Sequence, residues 1–330
     1  MIRPALTIAA ITLELALTTS SSASARGQDW PTKPVTIVIP FAAGSGSDIV
    51  GRILAPHMSE LLGRPVIVEN VGGAGGITGV SRVARAAPDG YQIVLGTAGT
   101  HSVNQTLYRR LPYNVAADFA PVALTVEQPI AVIARTDLPV DDLQGLIGHI
   151  KAKHAGMQYG SPGAGTIPHL ACVLLNRLIG VDVIHVPYRG AAPAMQDLMA
   201  GRIDYQCAAF APVIPQIASN LVKAIALLKR TRSPALPMLA TAHEQGLADF
   251  EASTWYALFV PKGTPNTIVQ KLNEVTIVTM SMPAVQQRLR EVGTEPVPPQ
   301  RQSPEYLQEF MAREVDRWAA AIKSSGTGID

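Results

Sequence analysis

Small, hydroxyl-bearing and acidic residues cluster at positions 44–48, in the order Gly-Ser-Gly-Ser-Asp. They follow a short β-branched run at residues 35–39, which is typical of a buried strand, and they precede an apolar helical pattern that starts at Ile49. A strand that turns through small residues into a helix leaves unpaired backbone N–H groups at the helix start, and these attract anions. Asp48 or Ser47 is well placed to cap the helix. The pattern predicts a loop that holds a carboxylate-bearing molecule without changing it chemically.

A second loop of the same kind lies in the other half of the chain. Residues 160–169, Gly-Ser-Pro-Gly-Ala-Gly-Thr-Ile-Pro-His, follow a short strand at 157–159 and lead into an apolar helix. A third loop, Gly-Thr-Ala-Gly-Thr-His at residues 96–101, follows the strand predicted at 91–95. Ligands of open α/β sheets gather beyond the carboxyl ends of the strands, so we expect these loops to share one site.

The candidate ligand-binding residues come from these loops and from two further strand ends. Tyr188 is predicted to point into the cleft, because Gly190 and the alanines after it leave room beside the ring. For Asp48, His101 and His169, direct ligand contact and a purely local role in fixing loop shape are equally open. The full predicted set is Phe41, Ala42, Ala43, Gly44, Ser45, Ser47, Asp48, Thr97, His101, Ser161, Gly163, Gly165, Thr166, His169, Tyr188 and Ala208.

Other chemistries lack their motifs. The Gly-x-Gly pairs carry Ile49, Thr78 and Pro168 where the dinucleotide fingerprint needs a third glycine, and no P-loop sequence is present. The seven histidines are scattered without a His-x-x-x-His pair, so neither a zinc site nor any other cofactor is predicted. Ser161 lacks the first glycine of a nucleophile elbow. A secreted hydrolase using Ser161 or Ser47 with a histidine remains the alternative hypothesis, and a ligand sensor for a signalling partner is a third.

The elements that must position these residues predict an α/β protein with two lobes. Each lobe is expected to hold a mostly parallel sheet flanked by helices, because each half of the chain contains its own run of alternating strands and helices. Aliphatic residues dominate, with 47% hydrophobic but only 5% aromatic residues, as buried parallel strands require. The predicted limits are residues 29–131 with 254–330 for lobe 1, and residues 132–253 for lobe 2.

Two strands are expected to connect the lobes. Two separate strands are predicted at 119–124 and 129–134, and a long strand at 254–260 is expected to return to lobe 1. Residues 130–134 and 255–260 are predicted to form the hinge, since they would carry the chain from one lobe to the other.

The N-terminus and the overall charge indicate where the protein acts. Residues 1–25 resemble a secretory signal, with an apolar stretch followed by the small-residue site Ala-Ser-Ala, so we expect a soluble periplasmic protein and a monomer. The formal net charge is only +2 and no basic stripe occurs, so nucleic acid is not an expected partner. Cys172 and Cys207 could pair in an oxidising compartment, but we interpret them as two buried small hydrophobes on a helix and a strand.

Motifs spread over nearly the whole predicted mature chain carry a resemblance to a known family. They are Trp30-Pro31-x-Lys33-Pro34-Val35, Val38-x-Pro40-Phe41-Ala42-Ala43-Gly44, Val68-Glu69-Asn70, Gly73-Ala74-Gly75-Gly76, Ala87-Pro88-Asp89-Gly90-Tyr91, Gly96-Thr97, Tyr159-Gly160-Ser161, Gly163-x-Gly165-Thr166, His169-Leu170, His185-Val186-Pro187-Tyr188-Arg189-Gly190, Arg232-Ser233-Pro234-Ala235-Leu236-Pro237 and Trp255-Tyr256. Through these motifs the chain resembles the Bug family of extracytoplasmic solute receptors, the TctC-like binding components of tripartite tricarboxylate transporters.

The resemblance implies a Venus-flytrap (type II) periplasmic binding protein. The ligand would be a carboxylate gripped between residues 41–48 and 161–169, held largely by backbone groups and waters and with little use of arginine. Membrane permease subunits of the transporter would then receive the ligand.

Two departures from the family pattern bear on the ligand. Ser45 stands where relatives usually carry a second glycine. Ala208 and Ala209 stand where many relatives have aspartate or asparagine, so an acidic partner for a ligand ammonium group is missing there. We therefore expect a carboxylate without an amino group, either aromatic or dicarboxylic.

Overall fold

The computed structural model describes residues 30–248 and 250–325, and the predicted signal segment at residues 1–25 lies outside them. Ten strands are found in this part of the chain: β1 (Val35–Ile39), β2 (Val66–Asn70), β3 (Gln92–Thr97), β4 (Phe119–Ala134), β5 (Gln158–Ser161), β6 (Ile184–Pro187), β7 (Tyr205–Ala209), β8 (Lys223–Leu227), β9 (Ser253–Pro261) and β10 (Glu295–Pro296).

The same residues form eleven α-helices, several of which begin directly beyond a strand end. They are α1 (Gly46–Leu62), α2 (Ile77–Ala84), α3 (Asn104–Leu107), α4 (Val115–Asp118), α5 (Leu143–Lys153), α6 (Ile167–Leu178), α7 (Ala191–Met199), α8 (Phe210–Ala218), α9 (Asn266–Ser281), α10 (Pro283–Glu291) and α11 (Pro304–Ser325). None of the described helices is both long and apolar enough to cross a lipid bilayer.

The strands join into one continuous sheet with two distinct halves. The first half-sheet has the order β2-β1-β3-β9-β4, with β10 on β4, and the second has the order β4-β7-β5-β6, with β8 on β4. β1 pairs in parallel with β2 and β3, and β5 pairs in parallel with β6 and β7, whereas β9 runs antiparallel to both of its neighbours. The predicted crossover units are therefore present in each half.

Both faces of the first half-sheet are buried, and the residue alternation of β1 shows why. Ile37 and Ile39 pack into the core formed with α1, α9 and α10, whereas Val38 faces the core formed with α2 and α11. All three side chains are completely buried. A strand covered on both sides needs apolar residues at every position, and this explains the uninterrupted β-branched run in the sequence.

One long strand, β4, belongs to both half-sheets. Its first part pairs with β9 as far as the Pro129–Ser253 pair, and from the Ile130–Ala209 pair onward it pairs with β7. The prediction of two separate strands at 119–124 and 129–134 was wrong, because Phe119–Ala134 is continuous. The strand predicted at 254–260 is β9, which lies wholly within the first half-sheet. The hinge and the lobe limits remain predictions.

The interpretation of the two cysteines as unbonded hydrophobes was also wrong, because a disulfide joins Cys172 to Cys207. Their Cα atoms lie 5.6 Å apart, within the usual span of a disulfide. Cys207 shares the face of β7 that α6 covers, and the phenol of Tyr205 donates a 2.6 Å hydrogen bond to Asn176 of α6 from the same face. The two cysteines are 35 residues apart in sequence, and this separation does not show that α6 lies on β7.

Candidate functional site

A cavity of about 310 Å³ lies between loops of the two half-sheets. Seven of the predicted site residues line it: Phe41, Gly44, Ser45, Ser47, Thr97, Thr166 and Ala208. The other nine do not line it: Ala42, Ala43, Asp48, His101, Ser161, Gly163, Gly165, His169 and Tyr188. The structure thus brings the β1–α1 loop and the β5–α6 loop to one cavity. Ligand contact by the lining residues remains a prediction.

The start of α1 forms one wall of this cavity. Ser45 is the N-cap, and its hydroxyl accepts a hydrogen bond from the Asp48 N–H at 3.3 Å, so the prediction that Asp48 or Ser47 caps the helix was wrong. The first bond of the helical ladder runs from Ile49 N–H to the Ser45 carbonyl at 3.0 Å. The amides of Gly46 and Ser47 precede that bond, and both residues line the cavity. Amides in this position are donors suited to an anion.

The start of α6 forms the facing wall. Thr166 is its N-cap: the hydroxyl accepts from His169 N–H at 3.4 Å and donates to the Gly163 carbonyl at 2.8 Å. Ile167 and Pro168, the first two residues of the helix, both line the cavity. A proline at this position removes an N–H that the helix could not satisfy, and the fixed φ of proline suits the first turn.

Two further helices begin at the cavity, and their first turns were not among the site residues predicted from the sequence. Helix α7 starts after Gly190 and α8 after Ala209, and neither cap residue has a side-chain hydrogen bond to the helix amides. Ala191 and Ala192, in the first turn of α7, line the cavity. The available signal was the run of small residues after each strand, which resembles the sequence around the α1 start.

The walls of the cavity are uncharged. None of its lining residues, all within the described part of the chain, is Lys, Arg, His, Asp or Glu. Polar groups come instead from hydroxyls, glutamine amides and helix-start amides. An anion placed here would be bound by neutral donors and helix dipoles, which matches the small contribution of arginine that the resemblance implies.

One region of the cavity wall is apolar, and most of it was missed. The lining residues that were not predicted, polar and apolar together, are Gly46, Pro162, Ile167, Pro168, Ala191, Ala192, Met195, Gln196, Met199, Gln206, Ala209, Pro212, Val213, Gln216, Thr254 and Tyr256. The two methionines of α7 and Val213 of α8 provide thioether and aliphatic surface, which suits the hydrocarbon body of a ligand. Nothing in a single helix pattern distinguishes these side chains from ordinary core residues.

Asp48 organises the β1–α1 loop from outside the cavity. Its buried carboxylate accepts hydrogen bonds from Gly44 N–H at 2.9 Å, from Arg52 Nε at 3.0 Å and from Asn70 Nδ2 at 2.9 Å. Burial alone would raise the pKa of Asp48, but the bonds from Arg52, Gly44 and Asn70 hold that pKa below its ordinary value. The residue therefore acts as an anion that fixes the loop.

Replacing Asp48 with asparagine is expected to lower the free energy of unfolding by about 1.5–3 kcal/mol, because charge-assisted hydrogen bonds are lost at a buried site. Urea denaturation measures this loss. Asp141→Asn is the matched control: Asp141 also accepts from a cation, Lys223 Nζ at 2.8 Å, but its side chain is 92% exposed. The control is expected to leave the midpoint unchanged. A midpoint for Asp48→Asn equal to that of the parent protein would contradict the loop-fixing role.

The histidines singled out by the sequence are buried behind the cavity. His101 is fully buried and stacks on Phe259 with ring centroids 4.1 Å apart, while its Nδ1 lies 2.9 Å from Thr100 Oγ1. His169 Nδ1 accepts from Gly165 N–H at 3.3 Å. Burial lowers the pKa of each to about 3, so both rings are neutral near pH 7. Their contacts fix loop shape, one of the two roles left open by the sequence.

Ser161 and His185 form a hydrogen-bonded pair, with Ser161 Oγ 2.7 Å from His185 Nε2. The distance matches that of a serine nucleophile and its base. However, Ser161 is completely buried and does not line the cavity, and its Oγ also accepts from Gly163 N–H at 3.2 Å. This arrangement holds the β5–α6 loop and gives a substrate no access to the hydroxyl.

Tyr188, predicted to point into the cleft, is directed to α7 instead. Its phenol donates to Asp197 at 2.8 Å. Burial, together with the Asp197 carboxylate, raises the pKa of Tyr188 to about 12, so the phenol stays protonated. The space that Gly190 leaves is occupied from the other side of the cavity, because a Cβ built on Gly190 would lie 3.0 Å from the Ala42 Cβ.

Loops of the two half-sheets touch beside the cavity. Tyr108 Oη, from the first half, donates to the Ala164 carbonyl in the β5–α6 loop at 3.1 Å. A Cβ built on Gly163 would lie 3.2 Å from the Gly75 Cα. These contacts describe a closed arrangement in which the cavity lies between two opposed surfaces.

No cluster of three or more His, Cys, Asp or Glu side chains suited to a metal ion occurs within residues 30–248 and 250–325.

Comparison with known proteins gives a consistent result. The family described as "Tripartite tricarboxylate transporter family receptor" matches residues 50–327. The structure of the periplasmic binding protein BugD is 38% identical, with a TM-score of 0.87 over 91% of this chain and 99% of that one. Malate-bound MatC of Rhodopseudomonas palustris is 36% identical, with a TM-score of 0.84 over 88% and 99%. Adipate-bound Rpa4515 of R. palustris is 32% identical, with a TM-score of 0.86 over 90% and 99%. The predicted two-lobed α/β fold of periplasmic binding proteins is confirmed.

Proposed function

This chain belongs to the receptor family of the tripartite tricarboxylate transporters, and from that premise we propose that it binds a small organic carboxylate in the periplasm and delivers it to the permease subunits of such a transporter. The observation that supports this proposal best is the cavity itself. Helix starts from both half-sheets line it, and no charged side chain from residues 30–248 and 250–325 does. Such a site suits a carboxylate more than a cation or a phosphate ester, which usually binds arginine or lysine.

Relatives support the class of ligand. MatC was solved with malate and Rpa4515 with adipate. Both ligands are dicarboxylates without an amino group, and Ala208 in the wall of this cavity likewise offers no acidic partner to an ammonium group. We extend the same class to this protein.

Ligand capture would proceed by closure of the two lobes. The β1–α1 loop and the β5–α6 loop would each contact the carboxylate, so the ligand gains its full set of contacts only in the closed form. Binding therefore shifts the open–closed equilibrium toward the closed form, which is the form that a permease would recognise. Bending would occur where β4 passes from one half-sheet to the other, between Pro129 and Ile130.

The proposal includes no catalytic step. The Ser161–His185 pair, which would be the best candidate for hydrolysis, is sealed from the cavity by complete burial of Ser161. The chemistry of the site is then recognition, and the ligand leaves unchanged.

Calorimetric titration with succinate, malate, adipate, benzoate, aspartate and glutamate tests the proposed function. We expect at least one of the four plain acids to bind with a micromolar or lower Kd, and to raise the free energy of unfolding by about 2.7 kcal/mol at a hundredfold excess over Kd. Aspartate and glutamate should bind at least tenfold more weakly. No binding by any plain acid, or tight binding of the two amino acids, would overturn the proposal.

A parallel assay with a generic ester, p-nitrophenyl acetate, tests the absence of catalysis. We expect no turnover above that of the Ser161→Ala variant. Turnover that the variant abolishes would favour the hydrolase hypothesis instead.

A further inference from the structure

Gln206 differs from every other polar residue of the cavity wall. The residue is only 2% exposed, and its Nε2 is buried without a hydrogen-bond partner in the described part of the chain. A buried amide without a partner lowers stability, so buried polar groups in folded proteins are nearly always paired. Gln206 Nε2 therefore needs a hydrogen-bond acceptor that the described part of the protein does not supply.

The alternation of β7 directs Gln206 to the ligand side. Tyr205 and Cys207 face α6, where they bond to Asn176 and Cys172. Gln206 must therefore lie on the opposite face of the strand, which it shares with Ala208, and both of these residues line the cavity. On this face of β7, Gln206 presents its amide beside the small side chain of Ala208, while Gln196 and Gln216 line the cavity from α7 and α8.

The first half-sheet presents different groups to the same cavity. There the helix-start amides of Gly46 and Ser47 are the donors suited to a carboxylate, as described above. A ligand that fills the cavity therefore meets a carboxylate-binding loop from one half and a glutamine amide from the other. The methionine-lined wall accommodates a hydrocarbon body.

We propose that Gln206 is a specificity-determining residue whose side-chain amide hydrogen-bonds a second oxygen function of the carboxylate ligand. This inference rests on the proposed function, since it names a further group on the same ligand. A second carboxylate, a carbonyl or a hydroxyl satisfies the buried amide, whereas a ligand with only a hydrocarbon chain beyond its carboxylate leaves that amide unpaired. The site thus selects against simple monocarboxylates.

The test compares matched pairs of acids: succinate with butanoate and adipate with hexanoate. The parent protein is expected to bind the better diacid at least tenfold more tightly than its monoacid counterpart. The Gln206→Met variant, similar in size but apolar, is expected to lose 10- to 100-fold in affinity for that diacid and less than threefold for the monoacid, because a hydrogen bond to a charged acceptor is removed.

Two controls separate this role from a structural one. Gln270→Met makes the same exchange at an exposed glutamine of α9 that does not line the cavity, and it is expected to change either affinity less than threefold. Thermal unfolding of ligand-free Gln206→Met should occur at the parent temperature or above it, since an unpaired buried amide has been removed. A structural glutamine would give a lower temperature.

The outcomes are distinct. Equal diacid affinity in the parent and in Gln206→Met, equal loss for diacid and monoacid, or a parent protein that binds monoacids as tightly as diacids would each overturn the role of Gln206 while leaving the proposed function intact. Failure of the parent protein to bind any of these four acids, or malate or benzoate, would contradict the proposed function, and this inference would fall with it.

Discussion

Replacing Gly75 with alanine is expected to weaken carboxylate binding by about 10- to 100-fold. Gly75 has φ of +61°, and a Cβ at this position would clash with the Ala164 carbonyl of the opposite half. That carbonyl also accepts the hydrogen bond from Tyr108. The Ala164 carbonyl is a backbone group and is held by Tyr108, so it cannot move aside. The clash is therefore relieved only by moving the two halves apart. Overpacking of this kind costs about 1–3 kcal/mol, and here the cost falls on the closed form alone.

The chain offers a closely matched control in Gly63, at the end of α1. Its φ of +64° and ψ of +17° nearly equal the φ of +61° and ψ of +25° of Gly75, but a Cβ there meets nothing within 4 Å. Gly63→Ala therefore introduces the same backbone strain without the contact between halves. Calorimetric titration with the tightest acid is expected to give parent-like affinity for Gly63→Ala. Equal affinities in the two variants would show that the contact at Gly75 does not control closure.

Acidification is expected to destabilise the ligand-free protein steeply between pH 6.5 and pH 5. Burial lowers the pKa of His101 and His169 to about 3, and that of His185 to about 4. In the unfolded chain these rings titrate near 6.5. Below that pH the unfolded state binds protons that the folded state refuses, so stability is complete above pH 6.5 and falls as the pH drops toward the folded-state pKa values.

The size of this effect follows from the width of the window. Each pH unit costs about 1.4 kcal/mol per fully shifted histidine, so His101 and His169 together account for about 4 kcal/mol by pH 5, with a smaller share from the less buried His185. Urea denaturation at pH 7.5, 6.5, 5.75 and 5.0 measures the slope. His101→Gln is expected to be less stable at pH 7.5 but to lose about 2 kcal/mol less on acidification. If His101→Gln left the dependence of the unfolding free energy on pH unchanged, the buried neutral His101 would not be a source of the acid sensitivity.

Local signals were enough to predict the strand–loop–helix units and the lining role of several small residues. The β-branched run before Gly44 and the two loops rich in glycine and hydroxyl groups determine strand, turn and helix over short distances. Where several residues can perform the same local task, the pattern does not distinguish them. Ser45, Ser47 and Asp48 are all good N-cap residues, and the structure gives the cap to Ser45 while Asp48 orders the loop.

Long-range partners explain the errors. A polar stretch separates the two strands predicted at 119–124 and 129–134, yet Thr125 and Gln128 are fully buried within β4. Thr125 donates to the Tyr256 carbonyl at 2.8 Å, and Gln128 bonds to both Tyr256 and Thr294. These partners lie more than a hundred residues away, so no local pattern indicates that the polar groups are satisfied inside a strand. The disulfide and the role of Gln206 escaped prediction for the same reason.

The disulfide between Cys172 and Cys207 affects how much entropy the protein loses when it captures a guest. It joins the helix whose first turn faces the cavity to the strand that carries Gln206. The cavity wall from the second half is consequently ordered during folding, and little of its conformational entropy is left to be lost when the ligand binds. A protein matured without the bridge would keep more freedom between this helix and this strand before the ligand arrives, would lose more of it on binding, and would therefore bind the ligand more weakly.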